Sequence, residues 1–463
     1  MDEKISFPGD VAIDSLKIYN AADKFIELTL AQATEILIYE SVFASCMFGS
    51  IAFADADAII ETFPIVGGEA LTIKLRTKTF EDREDMVIHK SFIIVGIEKR
   101  RLENDREQTY VLNFISIEGY NDLVNNIHQS FPGDTDSGGA FNTAKIADNI
   151  FVNYIAKDTP RIYGEDKSSG FTILGNHSSD LQYVSNGWTP FQNMNYIALN
   201  STDATYPGAD MVFFETNKTY AMASLQGMIA AQEEVLFDQY FFPQMGPRTR
   251  TSKYGFSSPN LIDDKFNDVE EMKIPKTIDI LEGNMNGYHA SNIQAYDIYN
   301  KTRTHKNLDV LNDFDALVHT DDGAPIPQHI SRSPTSYTNF KILNGNTYAG
   351  IATGIFDKGK KTSDERWVGA GVRRRQYFSS FNDYTFELDV PGRTDIECGV
   401  MIYLDYPSTQ SKGVADTNTD EILSGKYLVT SIAHKINIVT GHTMKMEIVK
   451  NGLGKSLWRT MAN

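Results

Sequence analysis

Near the start of the chain, Gly68-Glu69-Ala70-Leu71-Thr72-Ile73-Lys74-Leu75 is followed by Phe92-Ile93-Ile94-Val95-Gly96-Ile97-Glu98-Lys99 and then by Tyr110-Val111-Leu112-Asn113-Phe114-Ile115-Ser116. Near its end, Cys398-Gly399-Val400-Met401-Ile402-Tyr403-Leu404 is followed by Tyr427-Leu428-Val429-Thr430-Ser431-Ile432-Ala433-His434-Lys435 and Thr443-Met444-Lys445-Met446-Glu447-Ile448-Val449. These runs are short, apolar and rich in β-branched residues, which marks them as strands. Strand, spacer, strand, hairpin, strand therefore occurs twice in one order. Each occurrence reads as a small β-barrel. A trimer of such a chain would present six similar barrels in a ring.

The rest of the composition agrees with a large, mainly β molecule. At 463 residues and 41% hydrophobic content, the chain is long enough for several cores. Its 22 Tyr and 27 Phe favour strands and broad interfaces. The formal charge of −18 argues against a phosphate-binding surface, since nucleic-acid affinity is driven by Lys and Arg. Met1-Asp2-Glu3-Lys4 lacks the basic and apolar regions of a signal peptide. No apolar run approaches the length of a membrane span, so stable membrane insertion is not expected. Cys46 and Cys398 stand in unrelated contexts and read as reduced thiols, which fits synthesis in a cytoplasm.

Outward from the repeats, residues 1–125 read as the first barrel, with Leu16-Lys17-Ile18-Tyr19, Ile26-Glu27-Leu28 and one long strand-like run from Glu35 to Phe53. Asp55 is a plausible N-cap for a short helix ending near Phe63. Lys99 to Gln108 is a charged hairpin tip. Residues 126–272 read as a middle α+β domain: a linker over Ser130 to Ala140, helices over Asn142–Ala156 and Thr189–Leu199, and a hairpin turning on Asn217-Lys218. Residues 273–305 and 372–450 read as the second barrel, interrupted by a polar insertion over 306–371. Residues 451–463 read as a tail whose Leu453, Leu457 and Trp458 need a docking surface.

The chemical motifs are weak. Asp136-Ser137-Gly138-Gly139 imitates a serine-protease nucleophile segment, but neither Cys is preceded by the His that the family's base context requires. Gly452-Leu453-Gly454-Lys455-Ser456 imitates the end of a P-loop, yet Val449 occupies the position of its first glycine. The nine His show no zincin spacing, and His434 alternates with Thr430 and Ile432 as a core or interface residue would. No catalytic, cofactor or metal site is read. Arg373-Arg374-Arg375 is the densest basic cluster, and in so acidic a chain it is expected to form salt bridges between subunits.

Several blocks carry a resemblance. Ser424 to His434, Met444 to Gly452, and Val390-Pro391-Gly392-Arg393-Thr394-Asp395-Ile396-Glu397-Cys398-Gly399 resemble the end of the central baseplate hub protein of T-even-type contractile-tailed bacteriophages. Thr189-Pro190-Phe191 to Ala198, Phe213 to Lys218, Met222 to Leu225, and Tyr288-His289-Ala290-Ser291 with Tyr296-Asp297 echo it in the same order. The resemblance implies a mainly β fold with α+β parts: two tudor-like barrels, a middle α+β domain and an inserted domain. It implies a homotrimer with pseudo-sixfold symmetry, joined to a central spike protein that can bear a lysozyme, to tail tube or tube-initiator proteins, and to baseplate wedge proteins. Such a chain sits in the virion tail and is not an enzyme. A hub of a tailocin or secretion spike complex is the nearest alternative. A tail-carried cell-wall hydrolase, acting through Ser137 or a carboxylate pair, is the alternative of another class.

Overall fold

The computed structural model describes residues 7–454 except 30, 79–85, 132–140, 158–161, 164–168, 176–179, 182, 204, 207–209, 233–237, 243–264, 298–300, 325, 327–332, 334–336, 344–373, 382–383, 409–418 and 438. Most of the ordered elements are strands, and thirteen of them belong to one sheet. Along its main path the order is Glu271–Thr277, Tyr384–Pro391, Gly441–Lys450, Gly425–Asn437, Ala33–Ser41, Phe48–Asp55, Glu107–Ser116, Val87–Asn104, Ala70–Thr77, Val11–Tyr19 and Phe25–Glu27. Met401–Asp405 pairs with Gly425–Asn437 off this path, and Asp238–Phe241 pairs with Met401–Asp405.

The repeated sequence pattern is a repeated topology. In the N-terminal lobe one row across the sheet runs Tyr39, Phe48, Ile115, Ile93, Ala70. In the C-terminal lobe the matching row runs Lys276, Thr385, Val449, Leu428, Met401. All these pairings are antiparallel, and each row visits the first, second, fifth, fourth and third strands of its unit. Even the irregularity is repeated. The long fourth strand carries an extra residue one step beyond this row and the next, at Val95 in one lobe and Thr430 in the other. A bulge bends its strand and re-aims the residues beyond it. Here it turns the far half of the fourth strand away from the third.

Alternation explains the cores. On Ala33–Ser41, Ile36 and Ile38 point inward with Glu40, while Leu37 and Tyr39 point outward. Leu16, Ile18, Ile51, Phe53, Leu71, Ile73, Phe92, Ile94, Leu112 and Phe114 fill the N-terminal lobe. Phe386, Leu388, Val390, Tyr427, Val429, Met444, Met446 and Ile448 fill the C-terminal lobe. The run from Glu35 to Phe53 is two strands rather than one. Ser41 accepts from the Ala44 and Phe43 N–H groups, through its carbonyl and its Oγ respectively, and folds Val42–Met47 into a connection. The charged hairpin stays paired to its last residues, Asn104 opposite Glu107. The N-cap of the helix Ile59–Thr62 is Ala58 rather than Asp55, whose carboxylate, three residues earlier, accepts from the first helical N–H, that of Ile59, at 2.8 Å.

Between the lobes lies an α+β unit. Its sheet runs Phe171–Leu174, Tyr220–Ser224, Met211–Glu215, and helices Thr143–Ile150 and Pro190–Leu199 bury Ile146, Ile150, Met194 and Ile197 against it. Thr189 and Gln192 form a full capping box, with Pro190 at the first helical position. The hairpin turns at Thr216 to Thr219.

In the C-terminal lobe the polar insertion enters between the first and second strands of the unit, where the N-terminal lobe has only Val42–Met47. Of the stretch 273–305 read as barrel, only the end of Glu271–Thr277 lies in the large sheet. Ala290–Asp297 pairs with Thr302–Asp309 and with Thr338–Leu343 in a sheet of their own. The strand expected at Ala290–Asp297 is present, but its partners are Thr302–Asp309 and Thr338–Leu343, the latter inside the region 306–371 read as a polar insertion.

Candidate functional site

The two lobes meet by strand pairing. Beyond the Thr430 bulge, Gly425–Asn437 leaves Met401–Asp405 and takes Ala33–Ser41 as its neighbour, from Ser431 opposite Ser41 to Asn437 opposite Glu35. Ile436 crosses with it and is buried in the N-terminal lobe's core. The result is one uninterrupted sheet across both lobes, an edge satisfied inside the chain.

The tip of the middle hairpin is wedged against this joint. Glu40, on the joint strand, accepts from the Asn217 N–H at 3.1 Å and from the Cys398 N–H at 2.8 Å. One carboxylate thus ties the N-terminal lobe to the middle unit and to the C-terminal lobe. Burial, reinforced by nearby Glu397, pushes the Glu40 carboxyl up to about 8 against the pull of those two N–H donors. Glu215 accepts from the Met47 N–H at 2.6 Å and pairs with Lys90, itself buried. The Asn217 amide donates to the Val87 carbonyl at 2.9 Å, and Lys218 pairs with Glu397 at 3.0 Å. Turn residues normally face water; here Thr216 and Asn217 are buried, Lys218 is half-buried, and the tip is matched to both lobes, so the hairpin acts as a wedge that fixes their relation.

A second set of contacts also joins the lobes. The Thr77 N–H donates to the Thr394 Oγ1 and the Thr394 N–H donates to the Thr77 Oγ1, both at 3.1 Å. Arg393 is buried against Asp395, Asp238 and Asn267. His434 on the joint strand lies 3.0 Å from His442, Nδ1 to Nε2, and burial drives His434 down to about 4. His442 is driven well below its usual value by burial and by His434. Gly9 and Gly392 pack against His442 so tightly that a Cβ on either would collide with it.

The residues singled out from sequence lie in quite different settings. Arg374, half-buried, donates to the Met211 carbonyl at 2.8 Å and lies over Phe378; burial pulls it down to about 10. Arg375 donates to the Tyr337 hydroxyl at 2.7 Å between the Tyr288 and Tyr337 rings. Both arginines therefore stitch the helix at 374–381 to other parts of their own chain. Leu453 is fully buried in the C-terminal lobe and exchanges backbone hydrogen bonds with Gly323. Arg373, Leu457, Trp458 and the Ser137 segment lie outside the described residues. Glu40, Lys90 and Glu215 were missed. The available signal was a charged residue on the inward phase of an otherwise apolar strand.

Two stretches of strand edge in the large sheet, one at its end and one inside its path, are open among the described residues. Glu271–Thr277 has Tyr384–Pro391 on one side only. On Val87–Asn104, the Ala70–Thr77 neighbour stops at Ile93, and the far half is paired only to Glu107–Ser116. Val95 and Leu102 are 46% and 69% exposed there, and Ile274 on the other edge is 42% exposed.

These features define a mainly β chain with a duplicated strand unit, joined edge to edge and wedged by an α+β hairpin. The same overall fold occurs in solved phage tail proteins. The tail protein from Neisseria meningitidis MC58 aligns with a TM-score of 0.51 and 7% identity over 95% of this chain and 97% of that one. The 43 kDa tail protein of prophage MuSo2 from Shewanella oneidensis gives 0.50 and 10% over 95% and 99%. Prophage tail protein gp18 from Listeria monocytogenes EGD-e gives 0.46 and 10% over 97% and 98%. No family model and no curated protein matches the sequence.

Proposed function

We propose that this chain is a structural protein of a phage tail, the central hub of its baseplate, and that it works by geometry rather than by catalysis. The observation that carries this reading is the duplicated strand unit joined edge to edge within one chain. Two quasi-equivalent lobes, which we read as tudor-like barrels, become six when cyclic symmetry repeats the chain three times. A homotrimer of this kind matches a threefold spike on one face and a sixfold tube on the other. Spike, tube or tube-initiator, and wedge proteins are its partners, and its place is the virion tail. The net charge of −18 supports an acidic lumen through which DNA slides without adhering.

Electron microscopy of the concentrated, purified chain tests the proposal. Threefold rings with six similar lobes in end-on views are the expected result. A closed twofold dimer with a deep cleft would refute it.

A further inference from the structure

We infer that Lys450 and Asp321 become joined by an amide bond between Nζ and Cγ, a self-formed cross-link from the last strand of the C-terminal lobe to its insertion. The bond belongs to the folded chain alone and does not depend on assembly into a ring.

Two short stretches, 320–323 and 451–453, hold the pair together. The Thr320 N–H donates to the Asn451 Oδ1 at 3.0 Å, and the Asn451 N–H donates to the Thr320 Oγ1 at 3.3 Å. Gly323 and Leu453 exchange backbone hydrogen bonds at 2.8 and 2.7 Å in an antiparallel bridge. This seam sets Asp321 beside Lys450, with Nζ 3.6 Å from Oδ2. The Lys450 side chain is fully buried, and that of Asp321 is 13% exposed. The Tyr427 ring lies 5.0 Å from Nζ as an apolar wall. Glycine keeps the approach clear. A Cβ at Gly425, whose φ is 143°, would collide with Asp321 Oδ2 and stand 3.2 Å from Lys450 Nζ. One at Gly452 would collide with the Asp321 backbone.

The contacts suit a neutral amine as a nucleophile. Nζ donates to the Ile422 carbonyl at 2.9 Å and to the Ser424 carbonyl at 3.1 Å. An ammonium has a third donor, and Asp321 stands past ordinary hydrogen-bond length. A neutral amine commits its two N–H groups to the two carbonyls and keeps its lone pair for the carboxyl. Burial pulls Lys450 down and pushes the Asp321 carboxyl up, against the attraction between them, and both shifts favour the uncharged pair. The reaction is a condensation. The ammonium proton passes to the carboxylate, giving amine and acid. Nζ attacks Cγ and a C–N bond forms. The nitrogen then gives one proton to the departing hydroxyl, the C–O bond breaks, and water leaves by the exposed side of Asp321. No atom is oxidised or reduced. The Lys426 N–H, which donates to Asp321 Oδ2 at 3.3 Å, steadies the oxygen that carries charge in the tetrahedral intermediate. Hydrolysis normally prevails in water. Groups fixed face to face, however, react at effective concentrations of about 10⁵–10⁸ M. Burial around Lys450 also excludes the water that would reverse the step.

The bond closes a ring of chain from 321 to 450 that contains Tyr384–Pro391, Met401–Asp405, Gly425–Asn437 and Gly441–Lys450. Force applied between the two ends of the molecule then bypasses these strands. Mass spectrometry of the full-length chain, denatured and reduced, tests the bond on fresh and on stored protein. The expected mass is one water below that of the sequence. Trypsin should release one branched peptide joining 307–332 to 446–455, because acylated Lys450 is no longer a cleavage site. Lys450→Arg keeps the charge without the reactive amine, and it should show the full sequence mass and linear peptides only. The wild-type spectrum decides by itself if that variant does not fold. Wild-type chain of full sequence mass, fresh and stored, with 446–450 released as a linear peptide, overturns the cross-link. A lost water located at any other pair of residues overturns it too. Neither result bears on the hub reading, which the symmetry of the particles in the microscope decides.

Discussion

The N-terminal and C-terminal lobes share one strand order and one bulge, yet they differ in what fills the connection between the first and second strands. In the N-terminal lobe it is Val42–Met47, a few residues that touch the wedge. In the C-terminal lobe it is residues 278–383, with a sheet of their own and a helix at 374–381. Strand order and bulge survived that difference, so the sheet rows do not depend on the length of this connection. What the rows do depend on is the pairing at each lobe's edges. One such pairing is buried inside the chain and the other is open, and substitutions can set one against the other or probe what holds them.

The largest effect is expected at the wedge. Lys90→Ala strands the buried Glu215 carboxylate, and removing one partner of a buried pair costs about 3–5 kcal/mol. Denaturant unfolding should show this loss, and Lys90→Met combined with Glu215→Gln should recover most of it. Next comes the direct contrast. Ile436→Ala at the closed joint should cost about 2–4 kcal/mol, as for other buried truncations. Leu102→Ala at the open edge should stay within about 0.5 kcal/mol in the monomer. Equal costs in urea would show that the two edges are not open and closed counterparts.

Acid should act on the joint through His434. Its folded value, about 4, lies below the unfolded value near 6.5. The unfolded chain therefore takes up the proton first, and stability is complete above about pH 6.5 and lost as pH falls toward 4. Between pH 7 and pH 5 this residue alone should account for about 2 kcal/mol. His434→Gln should flatten that part of the pH profile, and an unchanged slope would remove His434 from the account. The smallest effect is at the tail. Removing 455–463 should leave thermal unfolding nearly unchanged and weaken partner docking. Removing Gly452 onward should also destabilise, because Leu453 belongs to the core and Gly452 packs on Asp321.

Much of this was legible in the sequence because alternation reports burial directly. The duplicated runs, the Thr189-Pro190 cap and the turn at Asn217-Lys218 all arise from local patterns. The joint did not, since pairing Glu35 with Asn437 leaves no local trace. The wedge was hidden for another reason. Glu40 and Glu215 look like ordinary strand carboxylates until tertiary structure supplies the Asn217, Cys398 and Met47 N–H donors. The partners of Arg374 and Arg375 inside the chain were equally illegible, since a basic run carries no mark of the rings it meets. Within the chain, half-buried Arg374 reaches the Met211 carbonyl and Phe378, while exposed Arg375 lies between two tyrosine rings.

The closed joint also fixes an order in time. Ala33–Ser41 leaves the ribosome long before its neighbour Gly425–Asn437. Contacts of such sequence separation form late, and an edge left waiting pairs with whatever strand arrives. During synthesis on a crowded message, the strand that arrives can belong to the chain ahead. Exchange of the C-terminal lobe between nascent neighbours is then the characteristic error of this architecture, and slower translation would make it more frequent.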